Sequence, residues 1–190
     1  MGSKETRPDT VRERILKTAG ELFYTEGINT TGVDRISEAA GVSKRTLYQR
    51  FTGKDELVAA YLTVTGGAAM DRYLPPEDDG TAPRDRILSV FATLRAHSTE
   101  PDFRGCLFLN ATAELSDLHH PARPITLEYK LRLHAFFARQ ATLMNAPAPE
   151  SLADQLIMLF DGGMSYALVR TTAVPESILT AARVLLDAQT

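Results

Sequence analysis

The 190-residue chain is predicted to be all-α, on three observations. Apolar residues recur at i, i+3 and i+4 in one segment after another. Clusters of Gly and Pro fall between those segments, and residues suited to start or stop a helix stand at their ends. Apolar residues make up 44% of the chain, enough for a real core and for one or two compact units.

Taken in order, residues 1–8 are polar and are expected to be loose. Asp9 or Thr10 can cap a first helix running to about Glu26, with Val11, Ile15, Ala19, Leu22 and Phe23 on one face and Gly27 closing it. Thr31 or Gly32 can begin a second helix on Val33, Ile36, Ala39 and Ala40. Gly41 stops it, because glycine takes the left-handed backbone a helix end requires. Ser43 then caps a third helix, Lys44 to Phe51, which buries Leu47 and Phe51 at i, i+4. A fourth helix starts after Lys54, carries Leu57, Val58, Tyr61 and Leu62, and reaches about Tyr73. Gly66-Gly67 inside it marks either a bend or a close contact.

The run from Leu74 to Gly80 is a loop by its breakers and the clearest internal boundary. Pro83 fits the first turn of a helix to about Ser98, with Ile87, Leu88, Phe91, Leu94 and Arg95 inward. Arg104 to Leu115 reads as a short helix buried on most sides. The next, about Arg123 to Asn145, carries Ile125, Tyr129, Leu133, Phe136, Phe137, Gln140 and Met144. After the break at 145–149 come two last helices, about Glu150 to Thr171 and Pro175 to Ala188. Their apolar residues exceed what one buried face accounts for. The simplest reading is a four-helix dimer interface using Leu156, Phe160, Gly163, Ala167, Ile178, Ala182 and Leu185.

Chemistry concentrates between Thr30 and Lys54, the predicted helix-turn-helix. From Val42 to Lys54 the sequence holds Lys44, Arg45, Arg50 and Lys54 and no acid, which is the footprint of phosphate binding. Eight residues at about 1.5 Å each give a rod of roughly 12 Å, matched to the major groove of duplex DNA. Arg45, Thr46 and Gln49 are suited to base edges, whereas Thr31, Ser43 and Tyr48 are suited to the backbone. Lys54, at the start of the fourth helix, can share a phosphate with the helix end. The candidate set is therefore Thr31, Ser43, Lys44, Arg45, Thr46, Tyr48, Gln49, Arg50 and Lys54. Lys4, Arg7, Arg12 and Arg14 are weaker candidates, since Glu5, Asp9 and Glu13 are interleaved with them. Residues 1–56 hold ten Lys/Arg and nine Asp/Glu, a net of +1, against a net of −4 for the remainder of a chain whose total is −3.

The segment Arg12 to Leu57 resembles the DNA-binding domain of the TetR family of bacterial transcriptional regulators. The resemblance is carried by Ile15-Leu16 to Leu22-Phe23, Gly27, Thr31-Gly32-Val33, Ile36, and above all Ala39-Ala40-Gly41-Val42-Ser43-Lys44 followed by Thr46-Leu47-Tyr48, Phe51, Lys54 and Leu57. Arg45 and Gln49-Arg50 depart from the family's usual residues on the base-reading face. The resemblance implies a DNA-binding domain over residues 1–55 and a helical ligand-binding and dimerisation domain over 56–190. It implies a homodimer on a palindromic double-stranded operator, and a small-molecule effector in a cavity of the second domain. Phe91, Leu94, Arg95, Cys106, Asn110, Tyr129, Leu133, Phe136, Phe137, Gln140, Phe160 and Met164 are the expected lining, with Arg95, Asn110, Gln140 or Tyr166 as polar anchors of a mainly apolar effector. A repressor is the expected function; an activator, or an all-α enzyme or small-molecule-binding protein, are the alternatives.

Against an enzyme, the sequence holds no nucleophile elbow, phosphate loop or metal-ligand cluster. No cofactor is expected. His119-His120-Pro121 lacks further ligands at metal spacing. Cys106, the one cysteine, reads as a small core residue rather than a sensor thiol, and a single cysteine fits a reducing cytosol. No apolar run is long enough to span a membrane, so a cytoplasmic protein is expected. The match of Gly2 and Thr6 to an N-myristoylation pattern is read as chance.

Overall fold

The computed structural model describes residues 9–76 and 80–188. Lys4, Arg7, Gly2, Thr6 and the acidic centre of the 74–80 loop lie outside them. Among the described residues every regular element is a helix: α1 (Thr10–Thr25), α2 (Val33–Ala39), α3 (Lys44–Tyr48), α4 (Lys54–Tyr73), α5 (Pro83–His97), α6 (Leu107–Glu114), α7 (Ala122–Leu143), α8 (Pro149–Arg170) and α9 (Ser177–Asp187). None is long and apolar enough to cross a membrane.

The first three helices close around Ile15, Ala19, Phe23, Ile36, Leu47 and Phe51, all buried. Local signals fix their ends. The Asp9 carboxylate accepts from the Arg12 N–H at 3.1 Å and caps α1. At the end of α2, Gly41 sits at φ +63°. There the Val42 N–H reaches back to Ser37 O and the Gly41 N–H to Glu38 O, both at 3.0 Å, the paired bonds of a Schellman stop. The Ser43 hydroxyl accepts from the Thr46 N–H at 3.0 Å and starts α3. That helix is shorter than expected. Gln49 is already its C-cap, and the Arg50 N–H bonds to Leu47 O, tightening the last turn before Phe51 enters the core.

α4 runs unbroken from this unit into the helical body, burying Leu57, Val58, Tyr61, Leu62, Met70 and Tyr73. Gly66 marks a close contact: a Cβ there would stand 2.6 Å from Cζ of Phe108, so α6 packs directly on the α4 backbone. α6 is half open rather than buried on most sides, with only Phe108 and Ala111 fully covered. It packs mainly on α4 and α7. In α5 the inward residues are Arg86, Ile87, Val90, Phe91 and Leu94, displacing Leu88 and Arg95 from the expected face. Buried Arg86 donates to the carbonyls of Pro76 (2.7 Å) and Pro75 (3.3 Å), tying the 74–80 loop to α5. α7 and α8 pack along each other, and α9 lies across α5 and α8.

Candidate nucleic-acid interface and ligand cavity

The short α3 stands on Leu47, which is fully buried, and turns Lys44, Arg45, Tyr48, Gln49 and Arg50 to solvent. Tyr48 is 54% exposed, high for an aromatic ring that faces no neighbour. Two of the cations are held by acids. Lys44 Nζ lies 2.6 Å from Asp34 of α2, whose carboxylate raises the lysine's pKa. Arg50 Nε lies 2.5 Å from Asp9, the α1 cap. These are exposed pairs, individually weak, so a phosphate can replace either acid. Arg45 and Lys54 have no ion-pair partner among the described residues. Lys54 opens α4, where Glu56 accepts from the Thr52 N–H at 2.6 Å. Ser43 and Thr46 are joined hydroxyl to hydroxyl at 2.9 Å, so Thr46 is partly engaged in the cap. Arg12 is also committed locally, its guanidinium 4.6 Å from the Phe51 ring centroid.

Thr31 is corrected. It is fully buried, and its hydroxyl donates to Gly27 O at 2.7 Å. The turn between α1 and α2 folds its side chain inward, where it stabilises the left-handed Gly27 (φ +96°) and cannot reach a phosphate.

Arg45, Gln49 and Tyr48 thus project from a capped helix that follows a Schellman stop, flanked by Lys44, Arg50 and Lys54, with Asp34 and Asp9 paired to the first two. The model of bacterial regulatory proteins of the tetR family matches residues 15–61. A TetR-type transcriptional regulator from Streptomyces avermitilis has the same fold at a TM-score of 0.90 and 41% identity, covering 95% of this chain and 98% of that one. The chain belongs to the TetR family. The Bacillus subtilis regulator YxaF is 28% identical over 170 residues, 86% of this chain and 88% of its own. The Escherichia coli repressor NemR is 30% identical over 123 residues, 64% of this chain and 61% of its own. The family fixes the coarse function, a DNA-binding transcriptional regulator.

Beneath the three-helix unit, α4, α5, α6, α7 and α8, with Tyr24 of α1, line a partly open cavity of about 310 Å³. Met70, Leu107, Phe108, Leu133, Phe160 and Met164 make it apolar, and Cys106 contributes its thiol. Its two cations are both neutralised: Arg72 by Glu100 at 2.9 Å and Lys130 by Asp161 at 2.5 Å. His97, on the wall, is hydrogen-bonded through Nδ1 to the Tyr73 hydroxyl. Burial, helped by the nearby Arg72 charge, lowers its pKa. Burial also pushes the Tyr73 hydroxyl well above the usual tyrosine range, so it stays neutral.

Of the expected lining, Cys106, Leu133, Phe160 and Met164 face this cavity. The others do not. Phe91, Leu94 and Phe137 are fully buried in the core, with Phe91 and Phe137 stacked at 6.0 Å between centroids. Tyr129 stacks on Phe108 from behind the wall and donates to Thr63 O at 2.9 Å. Arg95 pairs with Glu176 at 3.0 Å, and Asn110 donates to Arg104 O at 2.8 Å. Phe136 and Gln140 line a separate, wider recess of about 560 Å³ with Arg86, Arg132 and Arg139. Sequence reasoning missed the residues from α1 and α4 (Tyr24, Thr65, Ala68, Ala69, Met70, Arg72, Tyr73), His97, Asp102, Gly105, Leu107 and Phe108 around the turn before α6, and Lys130. One signal was present: in the run Gly66-Gly67-Ala68-Ala69 no side chain exceeds a methyl group, which hollows out that face of α4.

The expected dimer residues also need correction. Leu156, Phe160, Ala167 and Ala182 are buried within the single chain, and Leu185 is half-buried. Gly163 and Ile178 make the α8–α9 crossing itself: a Cβ on Gly163 would lie 2.5 Å from Ile178 Cδ1. The outer face carries different residues, with Met158 at 65%, Val169 at 82% and Val184 at 61% exposure, beside Tyr166. An apolar groove runs along it past Met158, Gly162, Tyr166 and Ala181. His120 is buried, its Nδ1 accepting from the Ala122 N–H at 3.1 Å. Among the described residues no three His, Cys, Asp or Glu side chains gather where a metal could sit.

Proposed function

We propose that the chain is a homodimeric repressor released from a near-palindromic operator by a small, mainly apolar effector. The observation that carries the reading is the apolar cavity beneath the helix-turn-helix. Its two cations are already paired with Glu100 and Asp161, and Asp102 adds a carboxylate to the same wall, so an anionic ligand finds no free cation there. About 310 Å³ lies at the small end of ligand pockets, which suits a compact molecule. Residues 1–55 act as the reading unit and 56–190 as the effector and dimer unit. The outer α8–α9 face pairs with its copy, placing two α3 helices on two half-sites. Arg45 and Gln49 read bases, while Tyr48, Lys44, Arg50 and Lys54 hold phosphates. The protein acts in the cytosol on chromosomal operators. Repression is favoured because NemR, 30% identical over 123 residues, is a repressor.

The test is selection of bound duplexes from a random pool at two salt concentrations, followed by a reporter with the selected site across its promoter. A palindrome bound with steep salt dependence is expected. Expression should fall when the protein is present and recover with apolar compounds that bind the cavity. Expression that rises with the protein would mean activation instead.

A further inference from the structure

Among the residues around the cavity, Tyr24 is the one contributed by the first three helices. It stands near the end of α1, and its hydroxyl is used twice. It donates to Gly105 O at 3.2 Å and accepts from the Arg104 N–H at 2.8 Å, bridging residues eighty positions away in the chain. Gly105 is at φ +76°, and the Asn110 amide holds the preceding carbonyl, so this turn has a defined shape. Cys106, Leu107 and Phe108, immediately following, are cavity wall. Burial pushes the tyrosine's pKa up, which keeps the hydroxyl protonated and able to donate and accept at once.

The other end of α6 is tied to the same unit. Glu114 accepts from the Asn29 N–H at 2.7 Å, and the Asn29 amide donates back to Glu114 O at 2.9 Å. An eight-residue helix of about 12 Å therefore forms cavity wall at its start, is tied to α1 through the turn before it, and is hydrogen-bonded at its end to Asn29, which leads into α2.

We propose that Tyr24 is a positioning residue that couples the cavity to the DNA-reading helices: an occupant that moves the Gly105–Phe108 wall breaks or shifts the hydroxyl's bonds and re-aims α1 and the turn after it. This deepens the effector reading above and rests on it. The bonded arrangement is one state, and its broken counterpart is the second that such coupling requires.

The experiment uses the full chain, the selected operator duplex and the neutral fluorescent probe N-phenyl-1-naphthylamine. Probe affinity is titrated with and without operator, and hydrogen exchange is followed at residues 103–108 by mass spectrometry. In the unaltered protein, operator should change probe affinity by about tenfold and change exchange in that segment. Tyr24→Phe keeps the ring and removes both bonds. It should abolish the operator-linked change in both readouts, measured against the variant's own probe affinity without operator. Glu114→Gln should diminish the change in the same direction. A Tyr24→Phe protein with coupling intact would overturn the inference and leave the effector proposal standing. Operator and probe bound together with no mutual effect in the unaltered protein would overturn both. If the probe fails to bind, exchange decides alone: a change at 103–108 that is absent, or that persists in Tyr24→Phe, overturns the inference.

Discussion

The outward face of α3 and the outward face of the α8–α9 pair are each the solvent side of helices anchored on one buried stripe, yet they expose opposite chemistries. α3 shows cations, an amide and a phenol over buried Leu47. α8 and α9 show Met158, Val169 and Val184 over buried Leu156 and Ala182. Charged groups on a surface cost little in water and meet a polyanion by releasing its counterions. Large aliphatic groups clustered on a surface leave a favourable burial unmade, and a second copy of the same face is the partner a dimeric regulator already has. The difference also explains the helix lengths. α3 needs only enough turns to aim a few donors, whereas α8, at 22 residues, buries one face in the chain and would offer the other to the proposed dimer.

The comparison breaks most severely if the apolar face is charged. Met158→Glu with Val184→Glu should raise the dimer dissociation constant by at least about a hundredfold, several kcal/mol of lost burial, and weaken operator binding with it. Sedimentation equilibrium checks this, and a dimer that persists would place the interface elsewhere. Next comes the body's internal fit. Gly66→Ala puts a methyl group into the Phe108 ring and should cost about 1–3 kcal/mol in urea unfolding, with little direct effect on α3.

On the polar face, Gln49→Ala should relax preference at one base position by about 1–3 kcal/mol. Lys54→Ala should weaken all sequences alike and lower the salt slope by about 1. Tyr48→Phe belongs with Lys54; a changed sequence preference there would show that the phenol reads bases. Ser43→Ala removes the α3 cap, and a loss of about 1 kcal/mol in stability is expected.

The smallest effect concerns His97. Its folded pKa lies below the ordinary histidine value of 6.5, so the unfolded chain binds the proton more readily. The associated stability is complete above pH 6.5 and is lost as pH falls through the folded value. Comparing urea midpoints at pH 7.5 and 5.5, the unaltered protein should lose more than His97→Gln over that interval. An equal loss would show that the imidazole is not kept neutral by the cavity wall.

How much was legible differs between the regions for a physical reason. Asp9, Gly27, Gly41 and Ser43 act on backbone within a few residues of themselves, so the ends of α1, the stop of α2 and the start of α3 follow from adjacent sequence; the early stop of α3 does not. The exposed donors of α3 are legible for the same reason, since one helix fixes its own polar side. Thr31 was misplaced because its partner, Gly27 O, lies across a turn that folds inward. Cavity and dimer residues were harder, because an apolar stripe does not state which neighbour covers it. Phe91 and Phe137 satisfy the pattern of a lining residue and are sealed in core; Leu156 and Ala182 satisfy that of an interface and are covered within the chain.

By itself, then, the sequence determined an all-helical chain, its element order, the helix-turn-helix and the donors on its recognition helix, all consequences of short-range periodicity and capping. Only the tertiary structure decided which stripe of α8 and α9 faces out, which short side chains of α4 open a cavity, and that Tyr24 reaches the turn before α6. Those depend on contacts between residues far apart in the chain, and they are set by which helix fills the space beside which, a matter of packing that no local pattern carries.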